Sequence, residues 1–184
     1  MRFGPIATKN RVLTGVLGLA VLAGHLIGAG EARADKRDLI GSFRDWDAFT
    51  IARGTGEKIC YMVSVPKKWT ASRQGVRRGN IYITVTHRPK ARVRNEVNVV
   101  AGYPYGRNGE ATATIDGKRR FKMFTEGDGA WLRTPREDTQ MVEAMKRGNN
   151  LVVVGTSARG TRTTDTYSLA GFTAAHNAIK KACP

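Results

Sequence analysis

The sequence predicts a mainly β protein, an antiparallel β-sandwich with two short helices. Short runs of alternating apolar and polar residues recur along the chain, as in Ile81–Val85, and a period of two is that of a strand with one buried face. Turn residues separate these runs, and only two segments have helical spacing. About nine strands with two helices are typical of a sandwich, although the pattern also allows a barrel.

Several strands are predicted from the turns that join them. Trp46–Ala52 and Lys58–Val65 form a strand pair connected through Gly54–Gly56. Ala111–Ile115 runs into Asp116-Gly117, and Asp-Gly between two such runs is the strongest short-range hairpin signal. These turns predict neighbouring antiparallel strands.

The two helices and the last strand pair follow in the second half of the chain. Thr134 and Glu137 have the spacing of a capping box, which predicts a helix start. Leu151–Val154 is apolar throughout, so we expect a central strand. Gly155–Tyr167 extends that strand, turns and returns, with its threonines at alternating strand positions. An amphipathic helix over Phe172–Cys183 closes the chain.

Residues 1–34 have the layout of a secretory signal peptide. Basic residues precede an apolar run, Val12–Ile27, and Ala32–Ala34 fits the small-residue cleavage rule. We expect cleavage before Asp35, with an uncleaved membrane anchor as the alternative. Residues 35–184 are expected to form a single exported domain, because no linker or repeat divides them.

Cys60 and Cys183 are the two cysteines of the chain. Export would place them in a compartment where disulfides persist, so we expect a bridge between them. The bridge would tie the end of the chain to an early strand. Two unpaired buried thiols are the alternative.

The positive charge is concentrated in one segment. The chain has a net charge of +16, and residues 58–95 include ten basic residues but no Asp or Glu. Concentrated positive charge attracts anions, so we expect lipopolysaccharide phosphates, phospholipid headgroups or sulfated host glycans as partners. A merely solvated surface is the alternative. The candidate binding residues are Lys67, Lys68, Arg73, Arg77, Arg78, Arg88, Lys90, Arg92 and Arg94.

Lys67–Asn80 is expected to be a polar excursion that carries much of this charge. Its Trp69 is either an anchor onto the core or an exposed contact residue. The amphipathic indole favours the anchor, because such rings are usually largely buried.

Nucleic acid, metals and cofactors are not expected partners. A sequence pI near 10.5 fits nucleic acid, but export argues against it and the chain has none of the common nucleic-acid-binding motifs. The sequence also lacks an H-E-x-x-H motif, a C-x-x-C motif and an acidic calcium loop. We therefore predict no metal and no cofactor.

The sequence does not predict an enzyme. Ser157, His87 and Asp165 supply the residue types of a hydrolytic triad, but Ser157 lacks the G-x-S-x-G context that exposes a nucleophile. We expect His87 to be a satisfied histidine at a strand edge and His176 to lie on the surface of the last helix. Asp165 is expected to be solvated or paired with Arg162.

Four segments carry a resemblance to a known family. They are NEVNVVAGYPY (Asn95–Tyr105), IDGKRRFKMFT (Ile115–Thr125), GTSARGTRTTDTYSLAGF (Gly155–Phe172) and AHNAIKKAC (Ala175–Cys183). With these segments the chain closely resembles the invasion-associated locus B family of Gram-negative bacteria. The resemblance implies an immunoglobulin-like β-sandwich, an envelope location, no known enzymatic activity and a role in assisting entry into host cells.

Two functions of different classes follow. The first is an exported, non-enzymatic envelope or surface protein, located in the periplasm or at the outer membrane, that contacts anionic envelope or host-surface glycans or lipids through its basic residues. The alternative is a periplasmic housekeeping or chaperone-like module whose sheet edge pairs with a client strand. Salt-sensitive binding would distinguish the first from the second.

Overall fold

The computed structural model describes residues 35–184 and confirms the prediction of a mainly β, antiparallel fold with two helices. The predicted signal peptide, residues 1–34, lies outside the described residues. The strands are β1 (Lys36–Phe43), β2 (Trp46–Ala52), β3 (Lys58–Ser64), β4 (Lys68–Ala71), β5 (Tyr82–Arg88), β6 (Val93–Val100), β7 (Glu110–Ile115), β8 (Arg119–Glu126), β9 (Gly129–Trp131), β10 (Asn150–Thr156) and β11 (Arg162–Ser168). The helices are α1 (Pro135–Arg147) and α2 (Phe172–Ala182).

The eleven strands are joined in one antiparallel sheet in the order β1-β2-β3-β5-β6-β9-β8-β7-β10-β11-β4. The sheet is curved, as contacts between residues near its two ends show. Trp46 Nε1 at the start of β2 donates to the Ser168 carbonyl at the end of β11 at 3.0 Å. Lys67, just before β4, forms an ion pair with Asp45 between β1 and β2. The immunoglobulin-like division into two facing sheets stays a prediction.

The core consists of the alternate residues that the strands direct inward. Ile83 and Val85 of β5 and Val97 and Val99 of β6 are fully buried, as the period of two requires. Helix α1 packs mainly on β6, and α2 covers β1, β2 and β3.

One predicted turn and one predicted helix start are confirmed in detail. Asp116 and Gly117 have φ angles of 48° and 69°, and they join β7 to β8 as a hairpin that needs two positive φ values. Thr134 Oγ1 accepts from the Glu137 N–H at 3.2 Å, and a Glu137 carboxylate oxygen accepts from the Thr134 N–H at 3.1 Å. Helix α1 therefore begins with the predicted capping box.

The predicted disulfide is confirmed. Cys60 on β3 and Cys183 after α2 are bonded, with their Cα atoms 6.0 Å apart. Both cysteines are buried. The bridge fastens α2 to the strand that it covers.

The two strands that the sequence did not predict, β1 and β4, are the two ends of the sheet. Most side chains of β1 are exposed, and all of β4 except Ala71 is exposed. These two strands lack the regular buried face on which the alternating pattern depends. Part of the expected excursion Lys67–Asn80 is therefore a strand.

Candidate anion-binding cleft

Strand β5 divides the predicted basic residues into two groups. Lys67, Lys68, Arg73 and Arg77 precede β5, and we call them the loop cations; Arg88, Lys90, Arg92 and Arg94 lie at its far end or after it, and we call them the turn cations. The seven residues of β5 span about 20 Å at about 3.3 Å per residue. The two groups therefore form separate surfaces rather than one.

Arg78 does not belong to either surface, and its prediction as a surface cation is wrong. Only 1% of its side chain is exposed. Its two terminal nitrogens donate to the two carboxylate oxygens of Asp165 at 2.5 and 2.8 Å, and Nε donates to the Ala101 carbonyl at 2.9 Å. Asp165, expected to be solvated or paired with Arg162, is likewise buried. A guanidinium with all these bonds is held in the fold and cannot reach a ligand.

Two aromatic rings complete the surroundings of Arg78. Its guanidinium carbon lies 5.1 Å from the ring centroid of Trp69 and 5.0 Å from that of Tyr103. Burial lowers the pKa of Arg78, but the bonds to Asp165 outweigh this and hold its pKa above the ordinary value. Trp69 remains 41% exposed, so the favoured core-anchor interpretation is wrong. Its ring packs on Arg78 instead.

Three of the four turn cations lie close to carboxylates. Arg88 donates to Glu96 at 2.7 Å. Arg92 and Arg94 line a cleft of about 260 Å³ that also contains Glu96 and Asp138. Carboxylates partly compensate the positive charge at this end of β5, so this cleft is a weaker site for an anion.

Two of the four loop cations, Arg73 and Arg77, line a larger cleft of about 590 Å³, whereas Lys67 and Lys68 are not among its lining residues. Three exposed arginines line it, namely Arg73, Arg77 and Arg159, and none of its lining residues is Asp or Glu. The nearby Asp165 is already neutralised by Arg78. We call this site the arginine cleft. Its charge and its size within the usual range for small-molecule pockets suit an anionic ligand.

Backbone hydrogen bonds fasten the loop that carries Arg73 and Arg77 at both ends. The Ser72 N–H donates to the Arg162 carbonyl at 2.9 Å, and the Arg162 N–H donates to Ser72 Oγ at 3.1 Å. At the other end, the Gly79 N–H donates to the Gly102 carbonyl at 2.8 Å. Gly102 has a φ of +70°, and a Cβ there would lie 2.7 Å from the Gly79 oxygen. Glycine is therefore needed for this close approach.

Four residues with side-chain hydroxyl groups also line the arginine cleft, and we call them the hydroxyl wall. Tyr103 Oη lies 2.6 Å from Thr163 Oγ1, and Ser157 Oγ accepts from the Thr161 N–H at 3.2 Å. All four residues line the cleft. Burial raises the pKa of Tyr103, so its phenol is a neutral hydrogen-bonding group at physiological pH.

The three residues considered for a hydrolytic triad are not brought together. Asp165 bonds to Arg78, whereas His87 Nε2 contacts Asn95 Oδ1 at 3.2 Å. Ser157 Oγ bonds to the backbone of its own turn. Within residues 35–184, no cluster of three or more His, Cys, Asp or Glu side chains has the arrangement of a metal site.

His176 is buried, so its expected surface position is wrong. Helix α2 directs Phe172, Ala175, His176 and Ile179 inward, and this spacing is one face of a helix. His176 Nε2 lies 2.8 Å from Asn95 Oδ1, which also contacts His87. These three residues, His87, Asn95 and His176, form a cluster that we call the Asn95 clasp.

Five of the thirteen residues that line the arginine cleft belong to a segment that the sequence predicted only as a strand pair. Arg159, Ser157, Thr161 and Thr163 all belong to Gly155–Phe172. The sequence feature that could have indicated a contribution to the site is the arginine at the turn of this hydroxyl-rich segment. The sequence could not show that this turn faces Arg73 and Arg77, because the contact is made only through the pairing of β11 with β4.

The fold and the cleft define an antiparallel β protein with an acid-free arginine site. The model of the family described as Invasion associated locus B (IalB) protein matches residues 46–180, and the chain belongs to this family. Membership in this family supports the interpretation of the chain as an envelope-associated protein. Neither curated proteins nor solved structures provide a match to this chain. No helix among residues 35–184 has the length and apolar character to cross a membrane.

Proposed function

We propose that this family member is an exported, non-enzymatic envelope protein that binds anionic glycans or lipids of a cell surface through the arginine cleft. The observation that carries the proposal is the convergence of Arg73, Arg77 and Arg159 on one cleft without a lining carboxylate. The family name favours contact with a host cell as the setting in which this binding is used.

The geometry favours binding over chemistry. Arginine remains charged at all physiological pH values, so the three guanidiniums attract anions but cannot act as acids or bases there. The hydroxyl wall offers neutral hydrogen bonds, and its hydroxyls lack a neighbouring base within the cleft lining. The cleft can therefore hold and orient an anion.

Charge reversal tests the proposal. The variant R73E/R77E/R159E should lose binding to heparin and to vesicles of acidic phospholipid, and wild-type binding should weaken with added salt. The matched control is K118E/R119E/R120E, which makes the same charge change at three exposed positions of the β7–β8 hairpin. Equal binding by wild type and the cleft variant would refute the proposal. Equal loss in both variants would show attraction to net charge alone.

The chaperone-like alternative has one supporting observation. Strand β4 ends the sheet and displays Trp69, which is 41% exposed, and an edge strand can pair with an extended segment of another chain. Salt-independent capture of an extended outer-membrane protein segment, abolished by Thr70→Pro on β4 but not by the cleft variant, would favour this function.

A further inference from the structure

We infer that the arginine cleft recognises a phosphate monoester carried on a sugar. This inference rests on the proposed function and names the chemical group that the cleft selects. The group can come from a free sugar phosphate or from the phosphorylated sugar of a glycolipid headgroup, and the two sources share this chemistry.

The charge of the site favours phosphate over other common anions. Three guanidiniums line the cleft, and each presents a planar fork that matches the oxygens of a phosphate. A phosphate monoester carries about −1.5 to −2 charges at neutral pH, whereas a sulfate ester or a carboxylate carries one. The dianion therefore makes fuller use of three cations that no lining carboxylate neutralises.

The hydroxyl wall suits the sugar. Tyr103 and Thr163 share one hydrogen bond between their hydroxyls, and this bond uses one of their two hydroxyl hydrogens. Ser157 and Thr161 add two further hydroxyls to the lining. Hydroxyl side chains both donate and accept, as the hydroxyls of a saccharide require.

The size of the cleft points to more than an inorganic ion. Its volume is about 590 Å³, which lies within the range of about 300 to 1,000 Å³ for small-molecule sites. A lone phosphate would leave most of this space to water. The cleft is also partly open, so a headgroup at a membrane surface can enter as well as a free sugar phosphate.

Calorimetric titration of residues 35–184 tests the inference with four soluble probes: glucose 6-phosphate, glucose 6-sulfate, glucose and inorganic phosphate. We expect glucose 6-phosphate to bind at least about fivefold more tightly than the sulfate ester or inorganic phosphate, and glucose not to bind. A vesicle arm compares phosphatidylcholine carrying diphosphoryl lipid A with phosphatidylcholine alone and identifies whether the membrane source is accepted. Equal affinity for the phosphate and sulfate esters, or no binding of glucose 6-phosphate, would overturn the inference.

Neutral variants of the cleft arginines give an independent test. R77Q/R159Q should weaken glucose 6-phosphate binding by about tenfold or more, because each lost bond is to a charged group, whereas R119Q/R120Q on the β7–β8 hairpin should not. Unchanged thermal melting would show that both variants are folded. Equal weakening by the two pairs would contradict the site.

The pH profile separates a dianion from a monoanion. The charged and titratable lining groups are Arg73, Arg77, Arg159 and Tyr103, and Arg78 with Asp165 lies behind them. Arginine side chains carry their charge at every pH between 5 and 7.5, and burial raises the pKa of Tyr103 above its ordinary value of 10, so its phenol stays neutral in this range. The second ionisation of the phosphate lies near pH 6, so affinity for glucose 6-phosphate should fall several-fold at pH 5 while the sulfate ester is unaffected. A flat phosphate profile would contradict the inference.

The two proposals can fail separately. Binding to heparin and acidic vesicles without selectivity for glucose 6-phosphate would remove the inference but leave the proposed function. Selective binding of glucose 6-phosphate without binding to any anionic glycan or vesicle would remove the proposed function but leave the inference about the phosphate monoester.

Discussion

Arg78 and Arg77 are neighbours in the sequence and have opposite roles in the structure. Arg77 is exposed at the cleft, whereas Arg78 is buried between two aromatic rings and bonded to Asp165. A buried ion pair is a poor guide to net stability, but removal of one partner leaves an uncompensated charge in the core. The pair also holds Tyr103 beside the cleft, since the guanidinium packs on its ring.

We predict that Arg78→Met lowers the free energy of unfolding by about 3–5 kcal/mol, because Asp165 would remain buried without its partner. Urea denaturation measures the change. Arg77→Met is the control and should change stability by less than about 0.5 kcal/mol, as surface substitutions usually do. The double variant R78M/D165L should recover much of the loss. Similar stabilities for R78M and R77M would contradict the assigned role.

Asp138 and His176 are buried groups whose ionisation opposes folding at different pH values. Burial raises the pKa of Asp138 to about 6, although the Val97 N–H donates to its carboxylate. Burial, followed by the charges of Lys146 and His87, lowers the pKa of His176 to about 4. Between about pH 4 and 6, folded Asp138 binds a proton that the unfolded chain has released, whereas folded His176 lacks a proton that the unfolded chain has bound. Acid therefore favours folding through Asp138 and opposes it through His176.

We predict that Asp138→Asn raises the free energy of unfolding at pH 7.5 by about 1–3 kcal/mol, because no carboxylate charge remains to be buried. Asparagine keeps an oxygen for the Val97 N–H. The gain should disappear near pH 4, so stability should fall more steeply on acidification than in wild type. Urea denaturation at pH 4, 5, 6 and 7.5 measures both effects. A gain of equal size at every pH would show that ionisation is not its cause.

At the scale of elements, the start of α1 depends on local sequence. The capping box joins Thr134 and Glu137 through reciprocal bonds to backbone N–H groups. Two residues that lie three positions apart produce it, so the sequence was sufficient to predict where the helix begins. The buried side of this helix packs on β6.

Thr134→Ala is expected to lower the free energy of unfolding by about 1 kcal/mol, within a range of 0.5–2. The Glu137 N–H would lose its acceptor. Gln140→Ala, at an exposed position of the same helix, is the control and should be nearly neutral, since alanine has the higher helix propensity. Thermal melting followed by circular dichroism compares the two. A Thr134→Ala variant as stable as Gln140→Ala would contradict the contribution of the cap.

Strands β1 and β4 show the limit of periodicity as a guide to elements. Strands β5 and β6 were evident because one face of each is buried. Strand β4 covers only Lys68–Ala71 and is held by its pairing with β11. Such an edge strand forms because it pairs with a strand that is distant in sequence. Its own residues therefore give little indication that they form a strand.

At the scale of the whole molecule, the Cys60–Cys183 bridge encloses most of the folded chain. The bonded residues are 123 positions apart, and a cross-link across so long a loop restricts the unfolded state strongly. The bridge also lies beside the Asn95 clasp, because Cys60 pairs with His87 across β3 and β5. Both devices connect α2 to the sheet.

We predict that Cys60→Ser together with Cys183→Ser lowers the free energy of unfolding by about 2–5 kcal/mol. We expect the fold to persist at 25 °C, since twenty-eight of the thirty buried apolar residues of the core are not part of the bridge. Urea denaturation of the double variant and of the oxidised wild type gives the difference. A variant that matches the oxidised protein would show that the bridge adds no stability.

The sequence by itself determined the antiparallel β class, the hairpin at Asp116-Gly117, the helix start at Thr134 and the partners in the disulfide. Each depends on residue type and short spacing, or on the presence of two cysteines. Tertiary structure alone decided which arginines line the same cleft. Arg159 lies about eighty positions from Arg77, and the two line one cleft because β11 pairs with β4. It also decided that Arg78 is buried, since its partner Asp165 is equally distant in the chain and contacts of this kind carry no local pattern.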